Sequence, residues 1–128
     1  MRKIMFRGRG APRGKQWFYG DLDTHTSGVC ILDKDALHAV VPATVGQFTG
    51  LKDATGKEIY EGDIVIRDNS YFQKTCSALP KTTIGAVEWR DGEFIVKGSY
   101  KLFPSSDKFP IRVIGNIHDN PELLEDHA

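Results

Sequence analysis

The dipeptide Asp91-Gly92 constrains the fold of this chain more than any other feature of the sequence. It joins two β-favouring segments, 83–90 and 93–97, and Asp-Gly is a preferred sequence for the two-residue type I′ turn of a β-hairpin. A two-residue loop fixes the register of four cross-strand pairs: Arg90 with Glu93, Trp89 with Phe94, Glu88 with Ile95, and Val87 with Val96. We therefore expect one face of the hairpin to lie in the core, formed by Val87, Trp89, Phe94 and Val96.

Glycine content extends this hairpin prediction to the rest of the chain. Glycine accounts for 13 of 128 residues, about a tenth, against the usual share of roughly 7%. Such an excess favours short strands joined by tight turns over long helices. The length and the 40% apolar content suit one domain or two small subdomains.

Alternation and β-branched runs predict further strands at 3–7, 16–20, 28–32, 37–41, 58–60, 63–67 and 111–117. The segment 8–14 is expected to be irregular, and 44–49 is either a strand or a single helical turn. Turns are expected at 53–56 and 61–62, and a packed loop at 68–81. We therefore expect a mainly β protein with an N-terminal β-rich subdomain over 1–60, a small SH3-like β-barrel over 61–118, and a short C-terminal helix over 119–128. Asn120 and Pro121 would begin that helix.

Charge is unevenly distributed along the chain. Residues 1–20 carry six basic and no acidic side chains, whereas the remainder carries 11 basic and 17 acidic ones, so a +6 arm precedes a −6 body. Arginines can neutralise phosphates, and a neighbouring aromatic ring can stack on a base. The candidate binding residues, for nucleic acid or for an acidic partner subunit, are Arg7, Arg9, Arg13, Lys15 and Trp17.

The sequence offers little for metal or cofactor chemistry. Asp21, Asp23 and His25 alternate as ligands on one strand face would, but no fourth ligand is in view, and a solvated face explains them equally well. Cys30 and Cys76 lack a second Cys or His at metal spacing, and we expect reduced thiols. We predict no metal site and no cofactor.

Catalytic motifs are also missing from the sequence. There is no nucleophile elbow, phosphate-cradling loop or metal box. His38 is read as a lone histidine without a nucleophile or carboxylate neighbour, which does not make a catalytic base. Apolar runs are too short for a membrane span, and no signal-peptide core follows the basic start. We therefore expect a non-enzyme in the cytoplasm of its cell.

Several segments together resemble the YopX protein family, and the similarity runs nearly end to end: 6–8, 17–22, 44–53, 56–65, 113–117 and 121–124. The resemblance implies an origin in a bacteriophage or prophage and a β-rich fold that self-associates. It implies no established biochemical activity and supplies no catalytic residues. The chain departs from the family pattern in the segment 9–15, which is unusually basic here.

Two functional hypotheses follow from these observations. The first is a non-enzymatic phage accessory protein that acts as a homo-oligomeric protein-interaction module, with another phage or host protein as a further partner. The second is a nucleic-acid-binding module that uses the basic N-terminal loop, and it predicts binding that weakens steeply with salt.

Overall fold

The computed structural model describes residues 4–24, 28–98 and 100–127, without the side chains of 126 and 127. The chain divides into two compact units, Met1–Gly50 and Leu51–Ala128. The predicted subdomain boundary after residue 60 lies within the second unit.

The described residues form strands and a few short helices, and the predicted mainly β class is confirmed. The strands are β1 (Phe6–Arg9), β2 (Trp17–Asp23), β3 (Cys30–Leu32), β4 (Leu37–Ala39), β5 (Gly46–Lys52), β6 (Glu58–Tyr60), β7 (Asp63–Asp68), β8 (Thr82–Arg90), β9 (Glu93–Val96), β10 (Tyr100–Lys101) and β11 (Ile111–Asn116). One α-helical turn, α1, spans Ser70–Gln73, and 3-10 helices span Pro42–Thr44 and Pro121–His127.

In the first unit, hydrogen-bonded strands follow the order β4-β3-β2-β1-β5. The predicted hairpins β1–β2 and β3–β4 are both present and antiparallel. The first strand begins later than expected, because Ile4 precedes it and is 65% exposed, while Lys3 lies outside the described residues. The expectation that 8–14 is wholly irregular is wrong, since Gly8 and Arg9 pair with β2.

The segment 42–52 contains both structures that the sequence left open. A 3-10 turn at Pro42–Thr44 leads directly into β5. The Thr44 hydroxyl donates to the carbonyl of Val41 at 2.6 Å and accepts from the backbone N–H of Arg9 at 2.9 Å. The side chain thus satisfies a backbone donor of β1 while it closes its own turn.

In the second unit, a five-stranded antiparallel sheet has the order β10-β9-β8-β7-β11, and β6 follows a turn after the last residues of β5. The core of the second unit consists of Ile59, Val65, Val87, Phe94, Val96, Leu102 and Ile111. The pairing of β11 with β7 shifts register between Val113 and Gly115, which marks a β-bulge. Gly85 is required on β8, since a Cβ there would lie 2.6 Å from Cγ1 of Val96.

The Asp91-Gly92 hairpin has the predicted register at all four cross-strand pairs. Asp91 and Gly92 have φ of 52° and 86°, and positive φ at both central residues defines the type I′ turn. Phe94 is buried as predicted, but Trp89 is 49% exposed, so its assignment to the core is wrong. The pair Trp89–Phe94 is the second from the turn, near the end of the hairpin, and there the core covers Phe94 but leaves Trp89 half exposed.

The segment 68–81 packs through a fully buried Asn69, which the sequence did not single out. Its amide nitrogen donates to the carbonyl of Pro80 and to the hydroxyl of Thr83, at 3.1 and 2.7 Å. The segment contains α1, which was expected as loop. At the C-terminal end the predicted helix is present as a 3-10 helix from Pro121. There Asn120 Oδ1 accepts from the N–H of Asn116, which precedes the helix.

Candidate binding surfaces

Arg7, the first of the predicted binding residues, is buried. Its side chain is 5% exposed, and its guanidinium carbon lies 4.7 Å from the centroid of the Trp17 ring. Arg7 and Trp17 stand on paired strands, so the sheet itself brings the cation onto the ring. Both side chains therefore pack within the first unit.

The other predicted residues are distributed along the β1–β2 connection. Arg9 is half-buried, and its carbonyl accepts from the N–H of Val41 at 2.8 Å. Arg13 and Lys15 are exposed in a loop that two backbone hydrogen bonds close, from Gly10 to Gln16 and from Gly14 to Gly10. The structure thus brings Arg7 and Trp17 together and places Arg13 and Lys15 on the surface.

An open groove of about 710 Å³ lies on the first unit, at a place that sequence reasoning did not identify. Three of its apolar side chains are exposed: Ile4, Tyr19 and Leu32. The groove is lined by Ile4, Met5, Tyr19, Gly20, Asp21, Leu32, Asp33 and Lys34. Charged Asp21, Asp33 and Lys34 lie beside these apolar side chains, and we define the whole set of lining residues as the apolar groove.

His38 has a carboxylate neighbour, contrary to expectation. Its Nε2 lies 2.8 Å from Oδ2 of Asp33, and its ring stacks on Phe18 with centroids 3.9 Å apart. Backbone hydrogen bonds from Asp35 and Ala36, and then the His38 contact, lower the pKa of the Asp33 carboxyl. The pair ties the β3–β4 turn to the sheet.

Groups of metal ligands and membrane-spanning helices are both absent from the described residues. Within the described ranges, no group of three His, Cys, Asp or Glu side chains is placed to hold a metal ion. Of the alternating set, Asp21 is exposed and Asp23 half-buried, while His25 lies outside the described residues. No described helix is long and apolar enough to cross a membrane.

A cluster of aromatic rings and cations lies in the second unit, and we call it the aromatic-cation cluster. Phe109 is its centre, with ring centroids 4.7 Å from Phe72, 5.4 Å from Tyr71 and 6.0 Å from Phe103. The full set is Arg67, Tyr71, Phe72, Lys74, Tyr100, Phe103, Lys108 and Phe109. Three elements contribute, β7, α1 with its following turn, and the segment 100–110.

Arg67 is the most enclosed cation of this cluster, since it is only 9% exposed. Its guanidinium carbon lies 3.9 Å from the Tyr100 centroid and 5.1 Å from that of Phe72. A desolvated cation–π contact contributes about 2 kcal/mol, whereas the burial of an ion costs several kcal/mol. The rings therefore offset only part of the cost of burying this charge.

Asn69 orients Arg67 without neutralising it. Its Oδ1 accepts from Nε of Arg67 at 2.8 Å, which leaves the two terminal nitrogens pointing elsewhere. Those nitrogens make no hydrogen bond or ion pair with the part of the chain that the structure describes. The Tyr100 hydroxyl is buried and likewise has no hydrogen-bond partner there. Burial raises the pKa of Tyr100, and the Arg67 charge offsets part of that rise.

The sequence carried only an indirect signal for this cluster. Tyr71 and Phe72 lie in the segment 68–81, which was expected to be a packed loop, and Phe109 lies in a segment for which no strand or helix was expected. Arg67 follows a run of three β-branched residues, where a side chain in period with Val65 lies on the core side of the strand. An arginine in that position is the one pattern that could have indicated the site.

Comparison with known proteins gives a family but no activity. The profile described as YopX protein matches residues 14–125, nearly the whole chain. The crystal structure of protein EF1440 from Enterococcus faecalis is 30% identical, with a TM-score of 0.48, over 96% of this chain and 74% of that one. No curated protein matches. The chain therefore belongs to the YopX protein family.

Proposed function

We propose that this chain is a non-enzymatic, self-associating protein-interaction module of a bacteriophage or prophage, acting in the cytoplasm of the host bacterium. The observation that carries the proposal is the apolar groove, in which Ile4 is 65% and Tyr19 45% exposed. Burial of apolar surface contributes roughly 25 cal/mol per Å², so covering these side chains favours association.

A second copy of the chain is the occupant that charge favours. The +6 arm and the −6 body are complementary, while the whole chain is neutral, so copies attract through unlike regions without a net repulsion. Asp21 and Asp33 line the apolar groove, and Arg13 and Lys15 are exposed in the same unit. These are the charges that would meet across such a contact.

Sedimentation equilibrium over a range of concentrations, at low and at high salt, tests the proposal. We expect a reversible dimer or larger species that weakens when Tyr19 is replaced in a Tyr19→Ser variant. Tyr71→Ser is a matched control, because Tyr71 is 42% exposed but lies in the second unit, outside the apolar groove. It should leave the association constant unchanged.

The proposal fails if the wild-type chain stays monomeric at high protein concentration and low salt. It also fails if both tyrosine variants weaken association equally, since the contact would then not depend on the apolar groove.

Nucleic-acid binding by the basic N-terminal loop is the alternative proposal. Exposed Arg13 and Lys15 support it, whereas Arg7 packs on Trp17 and is enclosed. A filter-binding titration at two salt concentrations should show retention that falls with salt and is reduced in an Arg13→Ala, Lys15→Ala double variant. An absence of retention at low salt would remove this alternative.

A further inference from the structure

A cleft on the second unit contains a positive and a negative side chain, which we call the charged cleft. It has a volume of about 310 Å³ and is lined by Ala54, Thr55, Ile66, Asp68, Thr82, Pro110, Ile111 and Arg112. We propose that the charged cleft binds a free aliphatic α-amino acid. Arg112 pairs with the carboxylate of the ligand, Asp68 pairs with its ammonium group, and its side chain packs on Ile66. The charged cleft shares no residue with the apolar groove, and binding here is independent of self-association.

The register of the sheet sets the spacing of the two charges. Arg112 on β11 is the cross-strand partner of Ile66 on β7, and Asp68 lies two residues further along β7. Because successive side chains of a strand alternate between faces, Ile66, Asp68 and Arg112 share one face of the sheet. Diagonal neighbours on such a face are roughly 7–8 Å apart, which leaves room for one small group between the two charged side chains. An α-amino acid carries its carboxylate and its ammonium on a single carbon atom, so its charged end fits between them.

Both charged groups keep atoms available for a ligand. Arg112 is exposed, and its guanidinium makes no hydrogen bond or ion pair with the residues that the structure describes, Asp68 included. Asp68 is also exposed, and it accepts from the hydroxyl and the N–H of Ser70 through Oδ1, which leaves Oδ2 for the ligand. These two hydrogen bonds lower the pKa of the Asp68 carboxyl, so the group is ionised at neutral pH. A guanidinium fork matches a carboxylate, and a carboxylate accepts from an ammonium group.

The other lining residues suit an aliphatic amino acid. Ile66 and Pro110 are half-buried and Ala54 is exposed, so a ligand side chain that covers them removes apolar surface from water. The lining contains no aromatic ring, which favours an aliphatic ligand over one that binds by stacking. Thr82 is the cross-strand partner of Asp68, and its hydroxyl has no partner among the described ranges. That hydroxyl can therefore accept from the same ammonium group as Asp68.

Isothermal titration calorimetry on the full chain tests the proposal with L-leucine and three analogues. Isocaproate has the same carbon chain without the ammonium group, isoamylamine lacks the carboxylate, and glycine keeps both charges but has no side chain. We expect leucine to bind about tenfold more tightly than isocaproate or isoamylamine, because each of these loses a hydrogen-bonded charge pair. Glycine should also bind about tenfold more weakly than leucine, because it covers none of the apolar lining.

Variants assign each end of the ligand to one side chain. Arg112→Met should weaken leucine about tenfold or more and leave the affinity for isoamylamine unchanged, since that analogue has no carboxylate. Asp68→Asn keeps an oxygen for Ser70 but loses the charge, so it should weaken leucine and leave isocaproate binding unchanged or tighter. Arg90→Met is the matched control, because Arg90 is an exposed arginine of β8 that lies outside the charged cleft. It should leave leucine binding unchanged.

Three results would overturn the proposal. They are no binding of leucine by the wild-type chain at millimolar ligand, binding of isocaproate or isoamylamine as tight as that of leucine, and equal losses in Arg112→Met and Arg90→Met. If a variant of the charged cleft does not fold, the comparison of leucine with its two single-charge analogues on the wild-type chain still decides the question. A wild-type chain that binds leucine but remains monomeric would contradict the self-association proposed above and leave this site intact.

Discussion

Asp53 and Val113 are joined by a hydrogen bond across 60 positions of sequence: the backbone N–H of Val113 on β11 donates to Oδ2 of Asp53 at 2.9 Å. The other carboxylate oxygen, Oδ1, accepts from the N–H and hydroxyl of Thr55 and from the N–H of Lys57. A single buried carboxylate therefore closes the turn between β5 and β6 and attaches it to the last strand of the second unit.

Replacing Asp53 by asparagine should destabilise the second unit. Asparagine can keep one oxygen for Thr55 and Lys57, but its NH2 group would then face the N–H of Val113, donor against donor. A hydrogen bond to a charged group contributes roughly 1.5–3 kcal/mol, so we expect a loss of about 2 kcal/mol in the free energy of unfolding. Urea denaturation followed by circular dichroism measures it.

The matched control is Asp68→Asn, at a second aspartate that accepts hydrogen bonds locally. Both contacts of Asp68, from the N–H and the hydroxyl of Ser70, go to the same oxygen, and asparagine can supply that oxygen. Asp68 is exposed, so its replacement should cost much less than that of Asp53. Equal losses in the two variants would contradict the role assigned to Val113.

Asp53 should also make stability depend on pH at the acid end. Burial by itself would raise its pKa, but the hydrogen bonds from Val113, Thr55 and Lys57 outweigh burial and lower it below the ordinary value. A carboxyl group whose pKa is lower in the folded state stabilises the fold above its unfolded pKa, about 3.9, and this contribution is lost as pH falls through the folded pKa.

We therefore expect the stability difference between the wild-type chain and Asp53→Asn to be constant near neutral pH and to shrink progressively below about pH 4. Urea titrations of both proteins at a series of pH values provide the comparison. A difference that stays the same down to the acid limit would mean that the charge of Asp53 contributes nothing to the fold.

The Asp91-Gly92 turn should not tolerate a β-branched residue at its second position. Gly92 has φ of 86°, where a Cβ meets no neighbouring atom within 4 Å, so the cost of Gly92→Val is backbone strain alone. Left-handed backbone costs an ordinary residue roughly 1–2 kcal/mol, and a β-branched one more. Gly92→Asn, which tolerates this region, should lose less, and the thermal melting temperatures of the two variants give the order.

Local chemistry made part of the fold predictable from the sequence. The turn at Asp91 and the register that follows from it depend only on neighbours in sequence, and both are confirmed. The exposure of Trp89 depends on which segments reach the end of the hairpin, and the pairing of Gly8 with β2 overrides the local preference of glycine. Neither of these two features can be inferred from a few neighbouring residues in the sequence.

The candidate site was less predictable for the same reason. Arg7 was assigned to a binding loop because of its neighbours in sequence, yet the fold places it over Trp17 with 5% exposure. Arg67, by contrast, meets Phe72 and Tyr100 only through tertiary packing. Because the contacts of Arg67 come from distant segments, neither composition nor residue spacing indicates them.

Trp89 and Phe94 form one cross-strand pair, but we expect them to contribute unequally to the free energy of unfolding. They are cross-strand partners in an edge-to-face contact, with centroids 4.7 Å apart, but Phe94 belongs to the core whereas Trp89 is 49% exposed. Phe94→Ala should therefore cost about 3–5 kcal/mol, as for a buried aromatic. Trp89→Ala should cost only about 1 kcal/mol, mainly the lost ring contact.

In a double-mutant cycle, denaturant unfolding should return a coupling of roughly 0.5–1.5 kcal/mol. If Trp89→Ala proved as costly as Phe94→Ala, the tryptophan would have to be covered in solution, and the monomer's surface would not be the one described.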